Sequence, residues 1–542
     1  MKIISNISVF AITISLFAFS SCASDSTDTT NNTDEGKVVT LSGEMTDVGN
    51  SSTRASFSEV LNGTTTSFVS SWDDDDDIDV FSGGGADANK STFKYASVNG
   101  KMATFTGTFK GTPTATTKLY AIVNNTRSTT NKKTQLTYLS GVYTSDLTKQ
   151  SGTLQNALAH DFIVSSATYA DHVRFTFSHE LAIFRIDFVI PGISGSTNAT
   201  SIRLLSDKSF PSTPTYTIST QALAAGSTYT NAIGGTATTI PLTDGKGSAY
   251  FALYPGMKIT DMRLEVTESS TSRRFLSTIG TTQSGFASGQ AYATSKPIKQ
   301  TMGCFLNKTT SGYEVSAIPS ANGTTAVGVI FHDVPSTKDK AAGFTHGYVL
   351  SGGNCSVNES RWSTTTNTLI NPAHSVYAEW TTYLDGYTDC QAIKNLTGYS
   401  ETSYPPVYHA INYSVAAPTG TSGWYLPSIG QLYVFLKNIG DINPDNNGTP
   451  VITNSNWTAD VFGFKMGGDG SIEVTNINKY LNAMSGTPLQ LTNTGTWFWT
   501  STEYNASHPL DVQIWGGSYF TTQTKDHYST YGDNKNRAVL AY

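Results

Sequence analysis

The sequence predicts a mainly β chain, with two β-sandwich regions in tandem followed by an α+β region. Three observations carry that expectation. Short alternating runs punctuated by Gly, Asn, Ser and Thr fill residues 37–299. Aromatic residues reach 11% while charged residues make up only 14%, a balance that suits extracellular sheets better than helical bundles. Helical spacing appears only beyond residue 300, among aromatic strand candidates.

The chain opens with Lys2, an apolar run from Val9 to Phe19, and then Ser20-Ser21-Cys22. Residues 1–21 read as a signal peptide, too short for a comfortable membrane span. Residues 22–36 follow as a polar tether with no large apolar residue, unable to bury a core. Its Asp25-Ser26-Thr27 and Asp28-Thr29-Thr30 read equally as O-glycosylation acceptors and as plain linker.

The first sandwich is expected over residues 37–160 and the second over 161–299. Val38 to Leu41 starts the first strand candidate. Ile78 to Phe81, Val173 to Phe177 and Ile183 to Phe188 alternate, and Ala249 to Tyr254 runs into a stop at Pro255-Gly256. Between these runs lies Asp73 to Asp77. Five adjacent carboxylates suit a solvated turn better than a calcium loop, whose ligands are spaced.

Residues 300–542 form the third region. Asn371-Pro372-Ala373 starts a helix-like segment with Val376, Trp380 and Leu384 spaced by four, and Gly386 is expected to end it. Ser428 and Gln431 fit a capping box, and Ile429, Leu432, Leu436 and Ile439 continue at helical spacing until Gly440. Strand candidates follow at Trp497 to Thr500, Val512 to Trp515 and Arg537 to Tyr542.

Net charge is −7 with no basic cluster, which argues against nucleic acid as a partner. Cys304, Cys355 and Cys390 have no zinc spacing. They allow one disulfide and one spare thiol; spacing does not choose the pair, and Cys355–Cys390 is the candidate. No nucleophile elbow, HExxH or Walker loop occurs, so the chain is expected to be no enzyme, with no catalytic residue, no metal and no cofactor. Asn443-Pro444-Asp445 is the nearest string to a calcium-lectin signature and reads as a turn. Exposed aromatic rings stack on sugars and peptides. Trp515 and Tyr519, beside Gly516-Gly517, are the candidate ligand-binding residues.

The approach to Cys22 resembles a lipobox, although Phe19 is bulkier than the strict pattern prefers; the resemblance implies that Cys22 carries lipid at the outer membrane. "SSWDDDDDIDVF" (Ser70 to Phe81), "FTFSHELAIFRIDF" (Phe175 to Phe188), "YFALYPG" (Tyr250 to Gly256) and "GFASGQAYATSKPI" (Gly285 to Ile298) resemble, in this order, the fimbrillin family of bacterial surface pilins. That implies two tandem transthyretin-like sandwiches. "GWYLPSIGQL" (Gly423 to Leu432), "WTSTEY" (Trp499 to Tyr504) and "NRAVLAY" (Asn536 to Tyr542) are similar to a C-type-lectin-like domain.

The fimbrillin resemblance implies assembly by strand exchange. It implies that a protease cuts after Arg54, in "NSSTRAS", so that the mature chain would begin at Ala55 and Lys37 to Met45 would leave. A strand of another fimbrial subunit then fills the groove. The terminal "RAVLAY" reads as the closing strand of its own domain rather than as a donor, which points to a pilus tip subunit and adhesin for a host or bacterial surface glycan or protein. The alternative is a tethered glycan-binding lipoprotein that never polymerises.

Overall fold

The computed structural model describes residues 38–45, 58–62, 65–69, 72, 76–99, 102–124, 135–259, 262–280, 283–284, 286–294, 296–319, 325–355, 361–442, 463–467, 471–484, 494–515, 518–522, 524–526 and 536–542. Seven strands close the first barrel: β1 (Val38–Met45), β2 (Asp77–Ser82), β3 (Lys90–Asn99), β4 (Met102–Thr108), β5 (Lys118–Val123), β6 (Ile163–Thr168) and β7 (Arg174–His179). Their order is β1-β7-β6-β5-β2-β3-β4, returning to β1. β7 shows why period-2 reading works here: exposed and buried residues alternate along all of it, with Phe175, Phe177 and His179 inside.

β2 is different, because five consecutive residues from Asp77 are buried. Ile78 and Val80 face the barrel interior, while Phe81 joins Tyr143 in a neighbouring core. On that covered face the Asp79 carboxylate accepts from Thr92 Oγ1 (2.7 Å), Asn124 Nδ2 (2.5 Å) and Tyr143 OH (2.6 Å), with Lys90 Nζ at 2.9 Å. A buried charge so surrounded is satisfied. It ties the barrel to the small sheet formed by 136–139, 142–145, 215–217 and 222–224. The expected solvated turn is corrected at its end, since Asp76 and Asp77 are buried too; residues 73–75 lie outside the described set.

The second sheet contains β8 (Ala182–Val189), β9 (Ser196–Pro211), β10 (Ile240–Thr243), β11 (Lys246–Leu253), β12 (Met262–Glu268) and β13 (Arg273–Gly280), ordered β13-β12-β9-β10-β11-β8. A short helix, α1 (Leu154–Ala159), packs on β11. The expected break at 160/161 needs correcting, because β6 and β7 belong to the barrel. The chain changes sheets at Glu180-Leu181. There the buried Asp161 accepts from Leu181 N (2.7 Å) and Glu180 N (3.2 Å) and pairs with His179 Nδ1 (2.7 Å).

Among its described residues the third region has two sheets. One comprises β14 (Phe305–Lys308), β15 (Tyr313–Ser316), β16 (Thr325–His332), β17 (Tyr348–Asn354) and the late strand β22 (Arg537–Ala541), ordered β15-β14-β16-β17-β22. The other comprises β18 (Gly463–Gly467), β19 (Thr494–Glu503), β20 (Pro509–Trp515) and β21 (Ser518–Thr522), ordered β18-β21-β20-β19. The helices are α2 (Thr337–Ala341), α3 (Tyr377–Trp380), α4 (Gly386–Lys394), α5 (Pro405–Ile411), α6 (Ile429–Phe435) and α7 (Ser471–Leu481).

The α6 start is as read. Gln431 N donates to Ser428 Oγ, and Ser428 N donates to Gln431 Oε1, closing the box. The segment from Asn371 is corrected. Only one helical turn, α3, forms there, with Trp380 buried and Val376 half exposed. Gly386 opens α4 instead of ending a helix, and the reason is space. A Cβ there would lie 2.5 Å from Gln431 Oε1 and 2.6 Å from Ser428 N, so α4 packs directly onto the capping box. The thiol pair is also corrected: the cysteines are not bridged, as Cys390 Sγ donates to Leu426 O (3.4 Å) and Cys355 Sγ to Asn536 O (3.1 Å). One apolar cluster runs without a break from the second sheet through the third region.

Candidate functional site: the first strand and its groove

β1 enters the barrel from outside the local order of the chain. Its neighbours are β4, antiparallel, with Leu41 opposite Phe105, and β7, parallel, with Gly43 opposite Phe175. The β7 pairing joins segments more than a hundred residues apart in sequence, and it is parallel while the other pairings of the barrel are antiparallel.

β1 brings little apolar mass to this position. Leu41 is fully buried, Val39 is half-buried and Val38 is 69% exposed. Burying one leucine side chain contributes about 2–3 kcal/mol. Most of the barrel core comes from residues outside β1, led by Trp72, Phe105 and Phe177, where the Trp72 ring meets the other two edge-on at 4.9 and 5.4 Å. Over these rings lies Gly43. A Cβ at that position would come 2.9 Å from Phe177 Cε2, 3.1 Å from Phe105 Cε2 and 3.4 Å from Trp72 Cζ2. Glycine thus lets the strand lie flat on an aromatic floor. The polar attachments are few: Ser42 N and Oγ both donate to Val173 O (3.0 and 3.1 Å), and Glu44 pairs with Arg174. The last is an exposed pair of small value. What holds β1 is chiefly its two backbone ladders.

Cys22, Arg54 and Ala55 lie outside the described residues, as do Asn443 to Asp445. Trp515 and Tyr519 are brought onto paired strands, with Trp515 opposite Thr494 and Tyr519 opposite Gln513; only their backbones are described. Among the described residues no group of His, Cys, Asp or Glu is arranged to hold a metal ion, and no helix is long and apolar enough to cross a membrane.

Two buried ionic centres were not foreseen. In the first, Lys525 and Glu503 are both fully buried and paired beneath the Trp362 ring. Glu503 Oε2 also accepts from Ile370 N (2.9 Å) and Asn371 N (2.7 Å), and Lys525 donates to Thr368 O. The pair therefore holds the loop that precedes α3. In the second, Glu265 on β12 receives Arg203 through Nε (2.6 Å) and Nη2 (2.7 Å) and Arg274 through Nη1 (2.9 Å). Asp441, just past the π-helical turn Leu436–Gly440 that continues α6, completes it at 2.9 Å from Arg203 Nη2 and 2.6 Å from Arg274 Nη1. Burial alone would raise the Asp441 carboxyl; Arg274 and Arg203 override it and hold the group below its ordinary range. The helical stretch ends at Gly440, as read, and Asp441 after it takes the left-handed conformation (φ 64°). Beside it Asn438 Oδ1 accepts from Arg263 Nη1 (2.7 Å), and Tyr480 OH donates to Arg274 O (2.6 Å). The third region is thereby clamped to the second sheet. A cleft of about 590 Å³ opens next to the clamp, between Arg263 and Thr278 on one side and Lys338, Tyr383 and Lys437 on the other. Scattered polar residues gave no local signal for either centre. The groove was expected from the family resemblance; its narrow point at Gly43 was not foreseen, although a glycine inside a strand pattern is a readable signal of close approach.

No family model and no curated protein matches the chain. Solved structures do. A candidate cell adhesion protein from Bacteroides ovatus is 18% identical, with 47% of this chain and 90% of that one covered, at a TM-score of 0.31. One from Bacteroides uniformis is 16% identical over 52% and 96% (TM-score 0.29), and a fimbrial protein from Bacteroides vulgatus is 12% identical over 42% and 89% (TM-score 0.23).

Proposed function

We propose that the chain is a non-catalytic subunit of a surface fibre, joined to its neighbour by strand exchange at the β1 groove. The observation that supports this is β1 itself, a sequence-remote strand that closes the barrel through two ladders and one leucine. Once it leaves, β4 and β7 present unpaired N–H and C=O groups along an apolar floor, which is the template a foreign strand completes. The segment after β1 carries Arg54, the cut that would release the strand. The precursor is a lipoprotein held at the outer membrane through Cys22.

The third region, read as C-type-lectin-like, takes the adhesive role at the fibre tip, with Trp515 and Tyr519 as ligand contacts for a surface glycan or protein. Its strand β22 is unsuited to donation. All five of its residues are buried, it pairs with β17, and Val539 bridges Tyr425 on its other side. Pulling it out would open the core. The clamp at Glu265 suits a tip, since load on the third region passes into the second sheet through several charge-assisted bonds. Arg54→Ala is expected to leave the protein at the membrane as an unpolymerised lipoprotein, scored by its absence from purified fibres. Normal incorporation of that variant would contradict the reading.

A further inference from the structure

The groove prescribes the sequence of whatever fills it. This rests on the strand-exchange reading and adds to it a rule for the partner. The inward positions of β1 are Val39, Leu41 and Gly43, and they are not equivalent. The first is half-buried, the second fully buried, and the third lies on Phe177, Phe105 and Trp72, where a Cβ would already come 2.9 to 3.4 Å from the rings. We propose that the donor strand is not β22 of another copy but a strand that reads, from N to C, aliphatic–any–large aliphatic–any–glycine, running antiparallel to β4 and parallel to β7. Alanine at the last position requires the ring edges to give by a few tenths of an ångström. A branched or aromatic side chain has nowhere to go, because the three rings already brace one another edge-on.

The same rule argues against a second copy of this chain donating its β22. Setting Ala538 and Leu540 in the Val39 and Leu41 positions brings Tyr542 over the aromatic floor. Shifting by one residue puts Ala541 there but places Arg537 at the Val39 site and a smaller valine in the leucine site. Neither register fits.

The test uses the full chain, cut once at a protease site inserted between residues 46 and 57, so that β1 stays seated but is no longer tethered. Three labelled peptides are offered in excess: Lys37–Met45, the same peptide carrying Gly43→Leu, and Arg537–Tyr542. Uptake is read by fluorescence anisotropy. The resident sequence is expected to exchange into the groove. The Gly43→Leu peptide is expected to bind about 10- to 100-fold more weakly, the usual penalty for overpacking, and the β22 peptide to show no uptake. Equal binding by the leucine peptide, or uptake of the β22 peptide, overturns the rule and leaves the removable strand standing. Failure of the resident sequence itself to exchange overturns both.

Discussion

Replacing Glu503 by alanine is expected to destabilise the third region by about 3–5 kcal/mol, the cost of leaving a buried charge without its partner. Lys525 has no exposure through which to recruit water, and the Trp362 ring 5.0 Å away compensates only part of the loss. The carboxylate also satisfies Ile370 N and Asn371 N, so the loop before α3 is expected to become protease-sensitive at the same time. Denaturant unfolding followed by tryptophan emission reports this region selectively, because seven of the eight tryptophans lie beyond residue 300. Glu503→Gln separates the two roles. It retains an acceptor for the loop but cannot neutralise Lys525, so most of the loss is expected to persist while the loop stays protected. A loss below about 1 kcal/mol for Glu503→Ala, the size of an exposed pair, would show that the lysine is not held as a buried charge.

Glu265→Ala is expected to have an effect of similar size, spread differently. Glu265 is the acceptor shared by Arg203 and Arg274, and its side chain is 3% exposed while that of Arg274 is 14% exposed. Removing it leaves two guanidiniums facing each other with only Asp441 between them, at about 3–5 kcal/mol. The damage should appear at the junction. Amides of β12 and β13 are expected to lose hydrogen-exchange protection, while the barrel, which among the described residues makes no bond to this network, keeps its own. Converting Arg203, Glu265 and Arg274 together to methionine is expected to recover most of the stability, since apolar replacement of a buried ionic triad is often neutral and Asp441, 38% exposed, can turn to water once its arginines are gone. If the triple variant is no more stable than Glu265→Ala, the ionic account of the clamp is wrong.

The sequence made the strands legible wherever one face alone is buried. β7 alternates without a fault, and β8 and β11 fall within two or three residues of their expected limits. The Ser428–Gln431 box was legible because capping is local chemistry, complete within four residues. What was hidden depends on contacts distant in sequence. Period-2 patterning tells which face of a strand is apolar but not which sheet the strand joins, so β6 and β7 read as part of the second sandwich although β1 and β5 claim them. Gly386 carries the same residue type as a helix stop. Its actual reason, the capping box packed against it, lies some forty residues further on. Asp76 and Asp77 look like a solvated run because nothing local reveals that a second sheet covers β2. The groove lies between these cases. Gly43 is visible in the strand pattern, but the rings beneath it come from three separate segments, around Trp72, Phe105 and Phe177.

The central claim is that β1 leaves when the protein joins a fibre, and the N-terminus of the protein recovered from assembled fibres tests it most directly. The account predicts a chain that begins at Ala55 and lacks Lys37–Met45. A fibre-borne chain that still begins at a lipidated Cys22 and retains β1 would contradict it.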